Sequence, residues 1–241
     1  MSYFFCAENL SVGQVAGLSG EEARHILLSR RTKPGEQINL QDPRRQRFAA
    51  EVMVSDKKSV KVKVLKVLPV PDESPVFLTL FLAVVSEAAL DFVLQKGTEL
   101  GLGRLILFNS ENTGTRLSAD NFKKKLPRWE KIVKEAAKQS DRAVWPQIEF
   151  FPSIREVGHK LAEYDKIILF DITGRGFSRP EGYRNIKSLA LIIGPEGGLT
   201  GGEIALFRSP SRAETVSLGP ILLRADTASL SALSTVRLLT K

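Results

Sequence analysis

Twice near its C-terminal end the chain repeats one pattern: an apolar run reaches a Gly-Pro step, turns, and continues with helical character. The first instance spans residues 191–203 around Gly194-Pro195-Glu196-Gly197-Gly198, and the second spans 216–229 around Gly219-Pro220. Gly permits positive φ and close backbone approach, while Pro stiffens the turn. Strand, tight turn, helix is the building unit of an α/β domain, and the crevice beyond the strand ends is where open α/β sheets bind ligands. Two such turns after neighbouring strands would present a wall of backbone N–H and C=O groups to a ligand.

The same alternation extends upstream. Residues 76–84 form a buried-strand run, and Leu90, Val93, Leu94, Gly97 and Leu100 follow at helical spacing. Residues 104–108 read as a strand, and Trp129, Ile132, Val133, Ala136 and Ala137 mark another helix face. Strands are expected at 147–151, 166–170, 188–193 and 214–218, and a final helix at 227–239 capped by Asp226 or Thr227. This pattern predicts an α/β fold with a mostly parallel sheet. The first seventy residues differ. Residues 36–40, 47–54 and 59–67 alternate apolar and polar positions, the period of half-buried strands, with turns at Pro34-Gly35 and Asp42-Pro43 and one short helix near 20–30. Pro69, Pro71 and Pro75 interrupt both kinds of element. The expected organisation is a small barrel-like module over 1–70, a linker over 71–75, and an α/β domain over 76–241.

Composition narrows the functional classes. No apolar run is long enough to span a membrane. Residues 1–8 lack a basic segment followed by a long apolar core, so a secretory signal is not expected. The single Cys6 and two histidines offer neither an internal disulfide nor a zinc cluster, which favours a cytoplasmic protein without a structural metal. The formal charge of +8, from 35 basic and 27 acidic residues, suits a polyanionic partner, because Lys and Arg neutralise phosphates.

The 194–198 turn is no phosphate loop: it lacks the Gly-Lys-Ser/Thr ending and the dinucleotide glycine spacing. By itself it reads as a structural turn between strand and helix. Four stretches together say more. Gln95 to Gly101, Ile132 to Ser140 with Arg142, Ile193 to Gly198, and Leu218-Gly219-Pro220 followed by Leu223-Arg224 resemble, in this order and spacing, the RsmE-type enzymes of the SPOUT class of knotted methyltransferases. These enzymes methylate N3 of a uridine in bacterial 16S ribosomal RNA. The resemblance implies a trefoil-knotted C-terminal domain, a PUA-like N-terminal β-barrel, S-adenosylmethionine as cofactor, 16S rRNA or the small ribosomal subunit as partner, and a homodimer formed through the knot region.

Carried onto this sequence, the resemblance assigns Gly194, Gly198, Leu218 and Gly219 to the cofactor, with Leu223, Thr227 and Ala228 beside them and Phe170 and Ile193 along the adenine. It places Arg224 at the chemistry. Uridine N3 is a poor nucleophile until its proton leaves, and a guanidinium near O2 or O4 would stabilise the developing anion. Arg224 is always protonated and cannot take that proton. Asp226, Glu196 and water stand as candidate acceptors, but the role favoured for Glu196 is to anchor the loop through backbone N–H groups or to help position the substrate. The chain departs from the family pattern at Ile221, which replaces an Arg and is expected to weaken a substrate or dimer contact, at Ala225, which replaces a Thr, and at Asp226, which replaces a Glu. Arg24, His25, Arg30, Arg44, Arg45, Arg47, Lys134 and Arg142 are candidate RNA contacts, and a further basic run lies at Lys123, Lys124, Lys125 and Arg128. Two rival readings remain: a SPOUT enzyme for another RNA, such as a tRNA ribose 2′-O-methyltransferase, and an RNA-binding protein that has lost catalysis.

Overall fold

The computed structural model describes residues 3–29, 31–55, 59–177, 183 and 185–240. Two compact units emerge: Met1–Asp72 with Lys138–Val144, and Glu73–Ala137 with Trp145–Lys241.

The first unit is a half-barrel built on a five-stranded sheet. Its strands are β1 (Tyr3–Phe5), β2 (Val15–Ser19), β3 (Gln37–Gln41), β4 (Arg47–Ser55) and β5 (Ser59–Leu68), in the order β1-β3-β4-β5-β2. The β1–β3 pair is parallel and the other pairs are antiparallel. The period of two is clearest on β5, where Val60, Val62 and Val64 are buried and Lys61 and Lys63 are exposed. The expected helix near 20–30 is a single α-turn, α1 (Gly20–Arg24), running into a wider π-type turn at His25–Ser29. Ala23 and Ile26 carry it onto the core with Phe4, Ile38 and Phe48.

The second unit holds six parallel strands: β6 (Phe77–Ala83), β7 (Leu102–Phe108), β8 (Gln147–Phe151), β9 (Lys166–Arg175), β10 (Ser188–Ile193) and β11 (Ala213–Val216), in the order β11-β9-β10-β6-β7-β8. The near-continuous apolar sequences of the inner strands β6 and β10 follow from burial on both faces, whereas the edge strands β8 and β11 are half-buried and carry polar residues. Leu78, Leu80, Leu82, Leu189 and Leu191 pack in the cluster that includes α2 (Glu87–Glu99) and α6 (Ala225–Leu239), whereas Phe81, Ile106, Leu169 and Ile192 pack against α4 (Ile154–Lys160) and α5 (Gly201–Arg208). Each such Leu, fully removed from water, stabilises the fold by roughly 1.5–3 kcal/mol. The helix marked at 129–137 begins earlier, as α3 (Ala119–Gln139), with Pro127 inside it. The basic run at 123–128 therefore lies on a helix. Two of its members are paired with α2: Lys125 with Glu87 at 2.8 Å, and Arg128 with Glu87 at 2.7 Å and with Asp91. The hydrogen bond from Lys125 holds the Glu87 carboxyl below its ordinary pKa.

After β8 the chain crosses to the far side of the sheet, forms β9, returns to insert β10 between β9 and β6, and finishes with β11 outside β9. All strands point the same way, so the segments leaving β9, β10 and β11 converge at one edge.

Candidate functional site

That edge carries a cavity of about 360 Å³. Its floor comes from β9 and β10, where Phe170 and Ile193 are register partners. One wall is the 194–199 turn after β10, and the other is the 217–223 segment after β11. Behind Phe170 the aromatic packing continues through Phe177, at 5.8 Å between ring centroids, to Tyr183, at 6.5 Å. The Tyr183 hydroxyl donates to Glu214, and burial together with that hydrogen bond pushes its pKa far up. Tyr183 therefore stays neutral, a fixed strut behind the floor.

The first wall is tightly made. Gly198 N–H donates to Pro195 O at 2.9 Å, closing a four-residue turn, and Gly198 sits at φ 73°, a conformation side chains with a Cβ rarely adopt. Thr200 then caps α5 in a capping box: its hydroxyl accepts from Glu203 N, while the Glu203 carboxylate accepts from Thr200 N at 2.8 Å. The second wall is looser. Ser217 Oγ donates to Gly219 O at 3.0 Å and accepts from Gly219 N at 3.2 Å. Beyond it Ile221 and Leu222 stand 76% and 78% exposed at the cavity rim.

Of the nine residues expected at a cofactor, eight line the cavity: Phe170, Ile193, Gly194, Gly198, Leu218, Gly219, Leu223 and Ala228. Thr227 does not line it; its backbone N–H and hydroxyl turn to Asp226 Oδ1, at 2.7 and 3.2 Å. The expected cap of the last helix is also displaced. Arg224 occupies the cap position, its carbonyl accepting from Ala228 N at 2.8 Å, and Asp226 lies inside the first turn. Glu196 lines the cavity and takes the Arg224 guanidinium at 3.3 Å, with both side chains about two-thirds exposed.

The candidate RNA contacts divide. Arg24 and Arg45 are exposed, and Arg44 is half exposed while pairing with Asp42 at 2.9 Å. His25 is half-buried, edge-on to Phe4. Arg30 lies outside the described residues. Arg47 is buried: its guanidinium reaches Asp141 at 2.7 Å and lies over the Tyr3 ring, so it braces its own unit rather than facing solvent. Arg142 is likewise buried, its carbonyl accepting from the Tyr3 hydroxyl. Lys134 lies 3.8 Å from Glu130 and over the Trp145 ring.

Sequence reading missed Gly174. A Cβ there would stand 2.5 Å from the Val216 carbonyl carbon, so the crossing of β9 and β11 behind the second wall admits only glycine. The strand expected at 166–170 in fact runs on to Arg175, so Gly174 lies beyond the segment in which a strand glycine gives a signal. Among the described residues, no group of three or more His, Cys, Asp or Glu is placed to hold a metal ion.

Comparison with known proteins bears on this geometry. The RNA methyltransferase domain family matches residues 72–237, and the RNA methyltransferase PUA domain matches residues 18–65. Ribosomal RNA small subunit methyltransferase E of Bacillus subtilis is 30% identical over 230 residues, covering 91% of this chain and 88% of its own. The Mycobacterium tuberculosis protein of the same name is 28% identical over 232 residues, covering 95% and 88%. The crystal structure of ribosomal RNA small subunit methyltransferase E from Neisseria gonorrhoeae bound to S-adenosylmethionine superposes with a TM-score of 0.87 at 31% identity, over 99% of this chain and 98% of that one. A putative methyltransferase from Legionella pneumophila in complex with the same cofactor gives 0.85 at 28% identity, over 98% and 96%.

Proposed function

The chain belongs to the RNA methyltransferase family, and from that premise we propose that it transfers a methyl group from S-adenosylmethionine to N3 of a uridine in 16S ribosomal RNA. One observation carries the reading: a relative with S-adenosylmethionine bound superposes over 99% of this chain, and this chain has a cavity at the converging ends of three parallel strands. Its volume lies within the range of small-molecule sites. The apolar walls at Phe170, Ile193, Leu218 and Leu223 suit an adenine, and the bare backbone of the two glycine turns suits close approach of the methionine portion.

S-adenosylmethionine supplies a methyl group on a sulfonium, an electrophile that needs no metal to activate it. The chain's own residues must then bind the uridine, stabilise its anion and remove its proton. Arg224 suits the second task. Its pair with Glu196 is solvent-exposed, an interaction worth about 0–1 kcal/mol, so a uracil oxygen can take over the guanidinium at little cost. For the proton, Glu196 is favoured over Asp226, because Glu196 lines the cavity while Asp226 is engaged with Thr227 in the helix turn.

The exposed Arg24, Arg44 and Arg45 fit phosphate contacts from the N-terminal unit, which position RNA without reading its bases. The exposed Ile221 and Leu222, with Ile172 beside them at 57% exposure, support a homodimer that covers this apolar rim. No helix among the described residues is long and apolar enough to cross a membrane; a ribosomal substrate would place the activity in the cytoplasm.

The test is methyl transfer from labelled S-adenosylmethionine to small ribosomal subunits lacking the modification, followed by nucleoside mapping. 3-Methyluridine is expected. A 2′-O-methylated product would assign the chain to a different SPOUT chemistry, and tight RNA binding without transfer would make it a non-catalytic homologue.

A further inference from the structure

The first wall of the cavity is held by residues that do not touch the cavity. Asn112, on the loop after β7, donates from Nδ2 to two carbonyls of the wall, Gly197 O at 3.2 Å and Gly198 O at 3.0 Å. Glu203, only 3% exposed, accepts from Thr200 N on one carboxylate oxygen and from Glu111 N, at 2.9 Å, on the other. The loop after β7 is thus tied to the wall twice and donates in both ties, from the Asn112 amide and from the Glu111 N–H. The two segments are also in close contact, for a Cβ on Gly197 would stand 3.2 Å from the Asn112 Cβ.

The loop is stiff enough to act as a base. Asn109 closes it by donating to Leu117 O and accepting from Leu117 N, each at 2.9 Å, and Ser110 N–H donates to Thr113 Oγ1 at 3.0 Å. Because a peptide group is planar, fixing the Gly197 and Gly198 carbonyls fixes both peptide planes and the N–H on the other side of each. The buried Glu203 carboxylate adds charge-assisted hydrogen bonds, the stronger kind.

We infer that Asn112 is a positioning residue for the cofactor turn, with Glu203 as its second tether: together they preset the turn before the cofactor arrives. The inference rests on reading the cavity as an S-adenosylmethionine site. Presetting a binding loop lowers the ordering cost of binding and leaves the chemical step alone, so it has a distinct kinetic signature.

Asn112→Asp keeps the shape, removes both donated bonds and sets a carboxylate against two carbonyls; Asn112→Ala removes the side chain. For wild type and both variants, calorimetry gives the S-adenosylmethionine Kd, steady-state methylation gives KM and kcat, and amide hydrogen exchange reads residues 194–199. Both variants should weaken cofactor binding on the order of tenfold, with Asp at least as weak as Ala. The cofactor KM should rise while kcat at saturation holds, exchange at 194–199 should quicken, and Tm should stay put. Wild-type affinity and exchange in Asn112→Asp would overturn the inference, as would a fall in kcat with KM unchanged. Should the wild type bind no S-adenosylmethionine, the cofactor reading falls, and the exchange rate at 194–199 still decides whether Asn112 sets the turn.

Discussion

The two walls of the cavity follow the same sequence pattern and are held differently. Each follows a parallel strand, passes a Gly-Pro step and enters a helix. The turn after β10 is closed on itself, capped by Thr200 and tied by Asn112 and Glu203 to a loop more than eighty residues earlier. The segment after β11 has the Ser217 hydroxyl and the exposed Arg224–Glu196 pair, and its Ile221 and Leu222 project into solvent. Glycines alone do not make a rigid wall; side chains from elsewhere do. The comparison suggests a division of labour, with one wall preset for the cofactor and the other left adaptable for the larger partner.

The sharpest way to break that division is Arg224→Ala, on the adaptable wall. Single-turnover methylation at saturating cofactor and RNA should fall on the order of 100- to 1,000-fold, with S-adenosylmethionine affinity retained. Arg224→Lys should recover only part of the rate, because an ammonium lacks the planar fork. Lost cofactor affinity in Arg224→Ala would mean that the two walls are not separable.

The contrast between braced and free groups extends to the basic cluster of the N-terminal unit. Arg47→Ala should lower stability by about 2 kcal/mol, for it removes buried, charged hydrogen bonds to Asp141, and should leave the salt dependence of RNA binding alone. Replacing Arg44 and Arg45 with Ala should do the reverse, reducing the slope of log affinity against log salt by about 2. Urea unfolding and filter binding at graded salt measure the two effects. A changed slope in Arg47→Ala would count against its structural role.

On the preset wall, Gly198→Val forces a β-branched residue to φ 73°. No protein atom stands within 4 Å of a Cβ there, so within the protein itself the effect is strain on the turn. It should cost on the order of 1–2 kcal/mol, read as weaker cofactor binding in a folded protein. The smallest effect is expected from Ser217→Ala, which removes the hydroxyl bracing the adaptable wall. Cofactor Kd should change about threefold or less, below the effect of Asn112→Asp, and a larger change would reverse the comparison.

Much of this was legible in the sequence, for reasons that can be named. The strand at 188–193 stands where its apolar run placed it, because a strand buried on both faces leaves a long apolar signature; the one at 147–151 is a half-buried edge strand, legible from Ile148, Phe150 and Phe151. The cavity glycines were assigned to a site through the resemblance to a family; by themselves they read as structural turns. β1 is three residues long and β2 carries Gly17 mid-strand, so neither yields a period. Arg47 looked like a surface arginine beside Arg44 and Arg45; only the packing of the distant Lys138–Val144 segment shows that this end of β4 is covered. Asn112 had no local signal at all, since its partners are carbonyls of a turn far along the chain.

The order β11-β9-β10-β6 also governs how the domain is born. On a ribosome, β6 is synthesised more than a hundred residues before the strand that will sit beside it, and β9 also waits for that strand. Until β10 slides between them, two apolar strand edges stay unpaired, the surface that chains use to stick to one another. Such distant parallel pairing is slow to form. A pocket walled by the segments after β9, β10 and β11 exists only after that insertion, so a ligand bound there can protect the finished protein from unfolding but cannot help the unfinished one to fold.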